Sequence, residues 1–132
     1  MQAIQRVRDI MIRNVITAKP TTSLRDVARL MFKNRIGSVI VVNGNRVAGV
    51  LTESDFIRLA ARGIDMKEAV ANDFMTRNVV TCDPSITVID ALMIMRTERI
   101  RHLPVVKKGK LVGILSIRDL IAATQLSSFY VI

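Results

Sequence analysis

Gly113-Ile114-Leu115-Ser116-Ile117-Arg118-Asp119 carries a short apolar strand into a hydroxyl, and an acid follows three residues later as a helix begins. The same figure stands once before, as Gly49-Val50-Leu51-Thr52-Glu53-Ser54-Asp55, 64 residues earlier. A strand that ends where a helix starts leaves hydroxyl and carboxylate at a helix N-terminus. Free backbone N–H groups and the positive end of the dipole favour a phosphate there. A nearby acid can accept hydrogen bonds from a ribose diol. The same residues also spell a capping box, in which hydroxyl and acid only stabilise the helix start. Local pattern alone leaves both readings open.

Working outward, the offset of 64 aligns Asp9–Ile57 with Asp73–Ile121 without a gap. Identical pairs include Met11/Met75, Arg13/Arg77, Asn14/Asn78, Thr17/Thr81, Pro20/Pro84, Asp26/Asp90, Arg35/Arg99, Gly49/Gly113 and Asp55/Asp119. An internal repeat of this kind governs the fold, and two copies make a pseudo-symmetric pair rather than a solenoid.

Each copy reads alike. Asn14–Thr17 and Asn78–Thr81 are short extended pieces ending before Pro20 and Pro84, which break the chain ahead of a helix. Thr22 or Ser23 caps that helix in the first copy, and Leu24, Val27, Ala28 and Met31 recur at helical spacing. In the second copy Ser85 and Thr87 precede Val88, Ala91, Leu92 and Met95. The methionines read as core filler. A β-branched run at Ser38–Val42, the turn signal Asn43-Gly44 and the run Arg46–Leu51 predict a hairpin. Its counterpart is His102–Val106, a Lys-rich turn and Lys110–Leu115. The second helix starts at Thr52–Asp55 and ends near Gly63; its partner spans about Ser116 to Thr124. Ile64–Ala71 reads as a short helical connection, with Met1–Arg8 as its counterpart. The expected fold class is α/β (α+β): two pseudo-twofold β-α-β-β-α units packed sheet to sheet. The division falls at 1–66, with the N-terminal segment, and 67–132, with the C-terminal tail.

Composition narrows the chemistry. Half of the 132 residues are hydrophobic, enough for one domain of ordinary size, but aromatics make up only 4%. The core is therefore expected from Ile, Val, Leu and Met. No apolar run reaches the 18 or so residues of a membrane span, and no apolar segment of a leader follows Met1–Asp9. One cysteine, Cys82, excludes an internal disulfide framework. These points lead to an expected cytoplasmic location. Net charge is +9 and pI about 10.8. The basic residues spread over both halves, and the densest run, Lys107-Lys108-Gly109-Lys110, reads as a turn. That distribution fits a solvated surface and keeps nucleic acid as an alternative partner.

One His and one Cys cannot form a zinc site within a chain. Cys82 replaces Ala18 in the repeat and reads as small-residue packing. Ser116, His102 and Asp119 spell a triad on paper, but Ser116 stands where a cap is needed and nothing marks a nucleophile elbow. No P-loop or Rossmann glycine pattern occurs. The chain is read as a non-enzyme.

The entry Met75-Thr76-Arg77-Asn78-Val79-Val80-Thr81, the Pro84 break, Arg101-His102-Leu103-Pro104-Val105-Val106 and the Gly-h-h-Ser/Thr-x-x-Asp endings (h apolar) occur in order. Together they resemble a CBS-domain pair, the regulatory module named after cystathionine beta-synthase. The resemblance implies two clefts between the units that take adenosine derivatives: AMP, ADP, ATP or S-adenosylmethionine. Carried over, one cleft uses Asp55 and Thr52 with Thr81, Arg101, His102 and Leu103. The other uses Asp119 and Ser116 with Thr17, Gly37, Ser38 and Val39. The acid then holds ribose, the basic groups face phosphate, and apolar strand residues with backbone amides hold adenine. Arg101-His102 against Gly37-Ser38 implies unequal sites, with the Asp55 cleft preferring a charged phosphate. The resemblance also implies a homodimer, a flat disc of two pairs, acting on a regulated partner protein. The alternatives are a polyanion binder and a dimerisation scaffold with vestigial clefts. The apolar tail Ser128–Ile132 is expected to pack on a second subunit or on Met1–Arg8.

Overall fold

A computed structural model describes residues 4–124 of the chain; the tail at 128–132 lies outside them. The chain forms two units with separate cores. The continuous unit is Ile16–Val79, and the split unit joins residues up to Val15 with those from Val80 onward.

In the continuous unit, β1 (Thr17–Ala18) runs parallel to β2 (Ser38–Asn43), which pairs antiparallel with β3 (Arg46–Thr52) in the order β1-β2-β3. The run Ser38-Val39-Ile40-Val41 is buried throughout, in the β-branched central strand of the sheet. Two helices flank the hairpin, α2 (Leu24–Asn34) and α3 (Glu53–Ala61). The Ser23 hydroxyl accepts the Asp26 N–H at 3.1 Å to start α2, and Leu24, Val27 and Met31 form its buried stripe. Arg35 ends α2 in the left-handed region at φ 54°, which lets the Ile36 N–H return to the Met31 carbonyl at 3.0 Å.

The split unit repeats this with α5 (Val88–Glu98), β4 (His102–Lys107), β5 (Lys110–Ser116) and α6 (Ile117–Thr124). Thr87 and Asp90 form a reciprocal capping box at the start of α5, at 3.1 and 3.4 Å. Both hairpins carry a bulge at the same place, after Val41 and after Val105. The expected strand at Asn78–Thr81 is reduced to a single parallel bridge, Cys82 to Val105. The first-copy piece at Asn14–Thr17 likewise keeps only Thr17–Ala18 as strand. Apart from Leu59 and Leu120, the buried residues of the two cores are counterparts across the repeat, from Val7/Ala71 to Leu51/Leu115.

The packing does not follow the linear division at residue 66. The N-terminal arm, with α1 (Val7–Ile10), belongs to the second copy. Val7 and Arg8 donate to the Ile86 and Pro84 carbonyls at 2.9 Å, and Ile12 exchanges two backbone bonds with Ile114 on the open edge of β5. Val7 and Met11 enter that unit's core. Residues 70–76 do the same for the first copy. Ala71 and Asn72 in α4 (Ala71–Phe74) donate to Thr22 and Pro20, and Thr76 pairs with Val50 on the edge of β3. The helical connection expected over Ile64–Ala71 is instead a turn at 66–68, with the helix beginning only at Ala71. Each arm satisfies a sheet edge that would otherwise present unpaired backbone groups.

Candidate functional site

The recurring strand-to-helix turn is held the same way in both units. The first helical N–H donates to the carbonyl of the residue just before the neighbouring strand: Glu53 to Gly37 at 3.1 Å, and Ile117 to Arg101 at 2.8 Å. Register then sets Ser38 directly opposite Thr52, and His102 directly opposite Ser116. Opposed residues of an antiparallel pair share a face of the sheet. Each turn therefore gathers one polar side chain from the incoming strand with the hydroxyl and acid of the helix start.

In the continuous unit these are Ser38, Thr52 and Asp55. Asp55 is only 8% exposed and both of its carboxylate oxygens have partners. Oδ2 accepts the Thr52 N–H at 2.8 Å and the Thr52 hydroxyl at 3.1 Å. Oδ1 accepts from Arg58 at 3.2 Å. With its proton given to Asp55, the Thr52 oxygen receives the Ser54 hydroxyl at 3.0 Å. Ser38 is 4% exposed, and its Oγ has no hydrogen-bond partner among the described residues. An unmet buried hydroxyl costs on the order of 1–3 kcal/mol. Gly37 is half-buried, and Thr17 borders an open groove of about 880 Å³ with Lys19, Pro20, Thr21 and Thr22.

In the split unit the Ser116 hydroxyl accepts the Asp119 N–H at 3.0 Å, an N-cap. The Asp119 carboxylate has no hydrogen bond or ion pair among the described residues. Arg101 and Thr81 are exposed, and His102 is half-buried. The side chains of Val39 and Leu103, expected to line the site, are fully buried in the cores of their own units, so only their backbone groups remain for a ligand. Strand alternation explains this: each neighbours a site residue and so points to the opposite face.

Sequence reasoning missed Ser54 and Arg58. Arg58 lies one turn after Asp55, where an opposite charge pairs readily, and the second copy has Ala122 at that place. Arg13 and Arg77 also acquire a role. Each donates to a carbonyl of the preceding short helix, Arg8 and Asn72, at 3.0 and 2.7 Å, and so fixes the turn that leads into its repeat.

The CBS-domain family profile matches residues 7–62 and 70–125. The chain belongs to the CBS-domain family. A CBS domain-containing protein of Bacillus subtilis is 33% identical over 123 residues, covering 92% of this chain and 86% of its own. An Acidianus ambivalens protein of 17.7 kDa is 38% identical over 121 residues, 89% of this chain and 72% of its own. Among solved structures, a CBS domain protein from Pyrobaculum aerophilum complexed with AMP superposes with TM-score 0.84 at 31% identity, over 95% of this chain and 99% of that one. The two profile matches are the two copies of the repeat, and the chain is a CBS pair of the regulatory-module type. Among the described residues no helix is long and apolar enough to cross a membrane.

Proposed function

We propose that this CBS pair is a sensor for adenosine-containing nucleotides, with the turns at Thr52–Asp55 and Ser116–Asp119 as the ribose and phosphate contacts. The observation that carries the reading is Ser38, a buried hydroxyl without a partner among the described residues, opposite the hydroxyl that opens α3. A ligand hydroxyl or phosphate oxygen there supplies the missing bond. The open carboxylate of Asp119 at the start of α6 points the same way, since a ribose diol offers two donors to one carboxylate. The AMP complex of the Pyrobaculum aerophilum protein supports adenylate as the ligand class. AMP, ADP, ATP and S-adenosylmethionine all present the same adenosine.

A sensor acts by differential affinity for two states of itself or of its assembly. The assembly proposed is a homodimer that regulates a partner protein. On α5, Ile89 and Met93 are 57% and 53% exposed, where α2 carries Arg25 and Arg29. An apolar pair one turn apart suits contact with a second copy.

The test is titration calorimetry and thermal shift with AMP, ADP, ATP, S-adenosylmethionine and short DNA at two salt concentrations. Saturable adenylate binding that changes little with salt is expected. Binding of DNA alone, collapsing steeply as salt rises, would instead make the +9 charge the functional feature.

A further inference from the structure

We propose that Arg58 is a latch that makes the two adenylate turns unequal, so that the Asp119 turn fills first and the Asp55 turn only after its carboxylate is released. This rests on the nucleotide reading above. A ribose diol engages a carboxylate through both oxygens. Both oxygens of Asp55 already have partners: Arg58 on Oδ1 at 3.2 Å, and the Thr52 N–H and hydroxyl on Oδ2. A diol therefore competes with Arg58 and the Thr52 hydroxyl for the oxygens it must engage. At Asp119 the corresponding hydroxyl, Ser116, accepts from the backbone, and the carboxylate has no partner among the described residues.

The repeat shows which residues make the difference. Thr52 and Ser116 are equivalent, and so are Asp55 and Asp119. Ser54 and Arg58 are replaced by Arg118 and Ala122. The second copy therefore lacks the cation that holds the acid, one helical turn on, while keeping the acid itself. Ala122 is exposed, so a longer side chain fits at the equivalent place. The Arg58 side chain is itself 56% exposed, which limits the latch to a modest, salt-sensitive effect.

The experiment isolates each turn by removing the acid of the other. AMP is titrated into D119A and D119A/R58A, which report the Asp55 turn, and into D55A and D55A/A122R, which report the Asp119 turn. Melting curves verify folding, and Arg58→Gln serves where Arg58→Ala does not fold. Removing Arg58 is expected to tighten AMP about 2- to 5-fold, and adding an arginine at 122 to weaken it by a similar factor. Both effects should shrink in high salt. Unchanged affinity in D119A/R58A overturns the latch. Weaker affinity there overturns it too, because Arg58 is then a contact of the ligand. If AMP binds the parent but neither D119A nor D119A/R58A, the Asp55 turn is no site and the proposal falls. If AMP does not bind the parent either, the nucleotide reading itself fails.

Discussion

Gly113 lies flat against Met11: a Cβ built on Gly113 would stand 2.5 Å from the methionine sulfur and 3.1 Å from the Ile12 carbonyl oxygen. Gly49 meets Met75 in the same way, at 2.5 Å from the sulfur and 3.0 Å from the methionine Cβ. The glycines that lead into the strand-to-helix turns are thus also the seats of the two arms.

Gly49→Ala should destabilise the protein by about 1–3 kcal/mol, because the Met75 Cβ moves only with a backbone that the Met75–Ala71 and Thr76–Val50 hydrogen bonds hold in place. Combining it with Met75→Ala should cost less than the sum of the two single changes. Chemical denaturation of the four variants measures the coupling, and strict additivity would show that the contact carries no strain.

Asp55 and Asp119 should separate stability from binding. Asp55→Ala removes the acceptor of the Thr52 N–H and should lower stability by about 1–2 kcal/mol. Asp119→Ala loses only the favourable interaction of the charge with the start of α6, about 0.3–1 kcal/mol. Each should weaken adenylate at its own turn. Equal losses of stability in urea melts would contradict the difference in hydrogen bonding.

The tip of the β4–β5 hairpin holds Lys108 at φ 51° and Gly109 at φ 79°. Both residues of a two-residue turn with positive φ favour Asn-Gly. Lys108→Asn should raise stability by about 0.5–1 kcal/mol without affecting adenylate titrations. A fall in Tm would refute this reading of the turn.

Burial, and secondarily the Asp83 charge, pushes the Cys82 thiol up from 9.0 to about 11. The folded protein therefore keeps a proton that the unfolded chain gives up. This contribution to stability is complete below about pH 9 and is lost as pH rises toward 11. Comparing melts of the parent and Cys82→Ala across that window should show a steeper decline for the parent. Parallel curves would mean the thiol ionises freely in the native state.

Ile89→Lys together with Met93→Lys should shift a homodimer to monomer in light scattering while leaving the helix content intact. A parent that is already monomeric at working concentrations would remove α5 as the contact.

The order of strands and helices in each copy was legible because the repeat doubles every signal. Proline breaks, Ser23 and Thr87 caps, β-branched runs and Gly63 all fell where the structure uses them. The destination of the arms was not legible. Val7 and Ala71 carry apolar side chains, but no local pattern tells which of two similar sheets a short segment will join. At the strand-to-helix turns, the positions of the hydroxyls and acids were legible from spacing. Their hydrogen bonds were not, since Thr52 and Ser116 occupy equivalent places and use their hydroxyls differently. The burial of Val39 and Leu103 follows from alternation along a strand, which the family pattern does not weigh.

The arm of the split unit is synthesised well ahead of its seat, with the whole continuous unit between them. Arg6–Ile12 leaves the ribosome well before the edge of β5 exists, and the continuous unit, whose core is complete by Val79, is assembled in the meantime. Until Ile114 emerges, Met11 and its neighbours stay apolar and unclaimed, so the split unit closes only when segments from either side of the continuous unit meet.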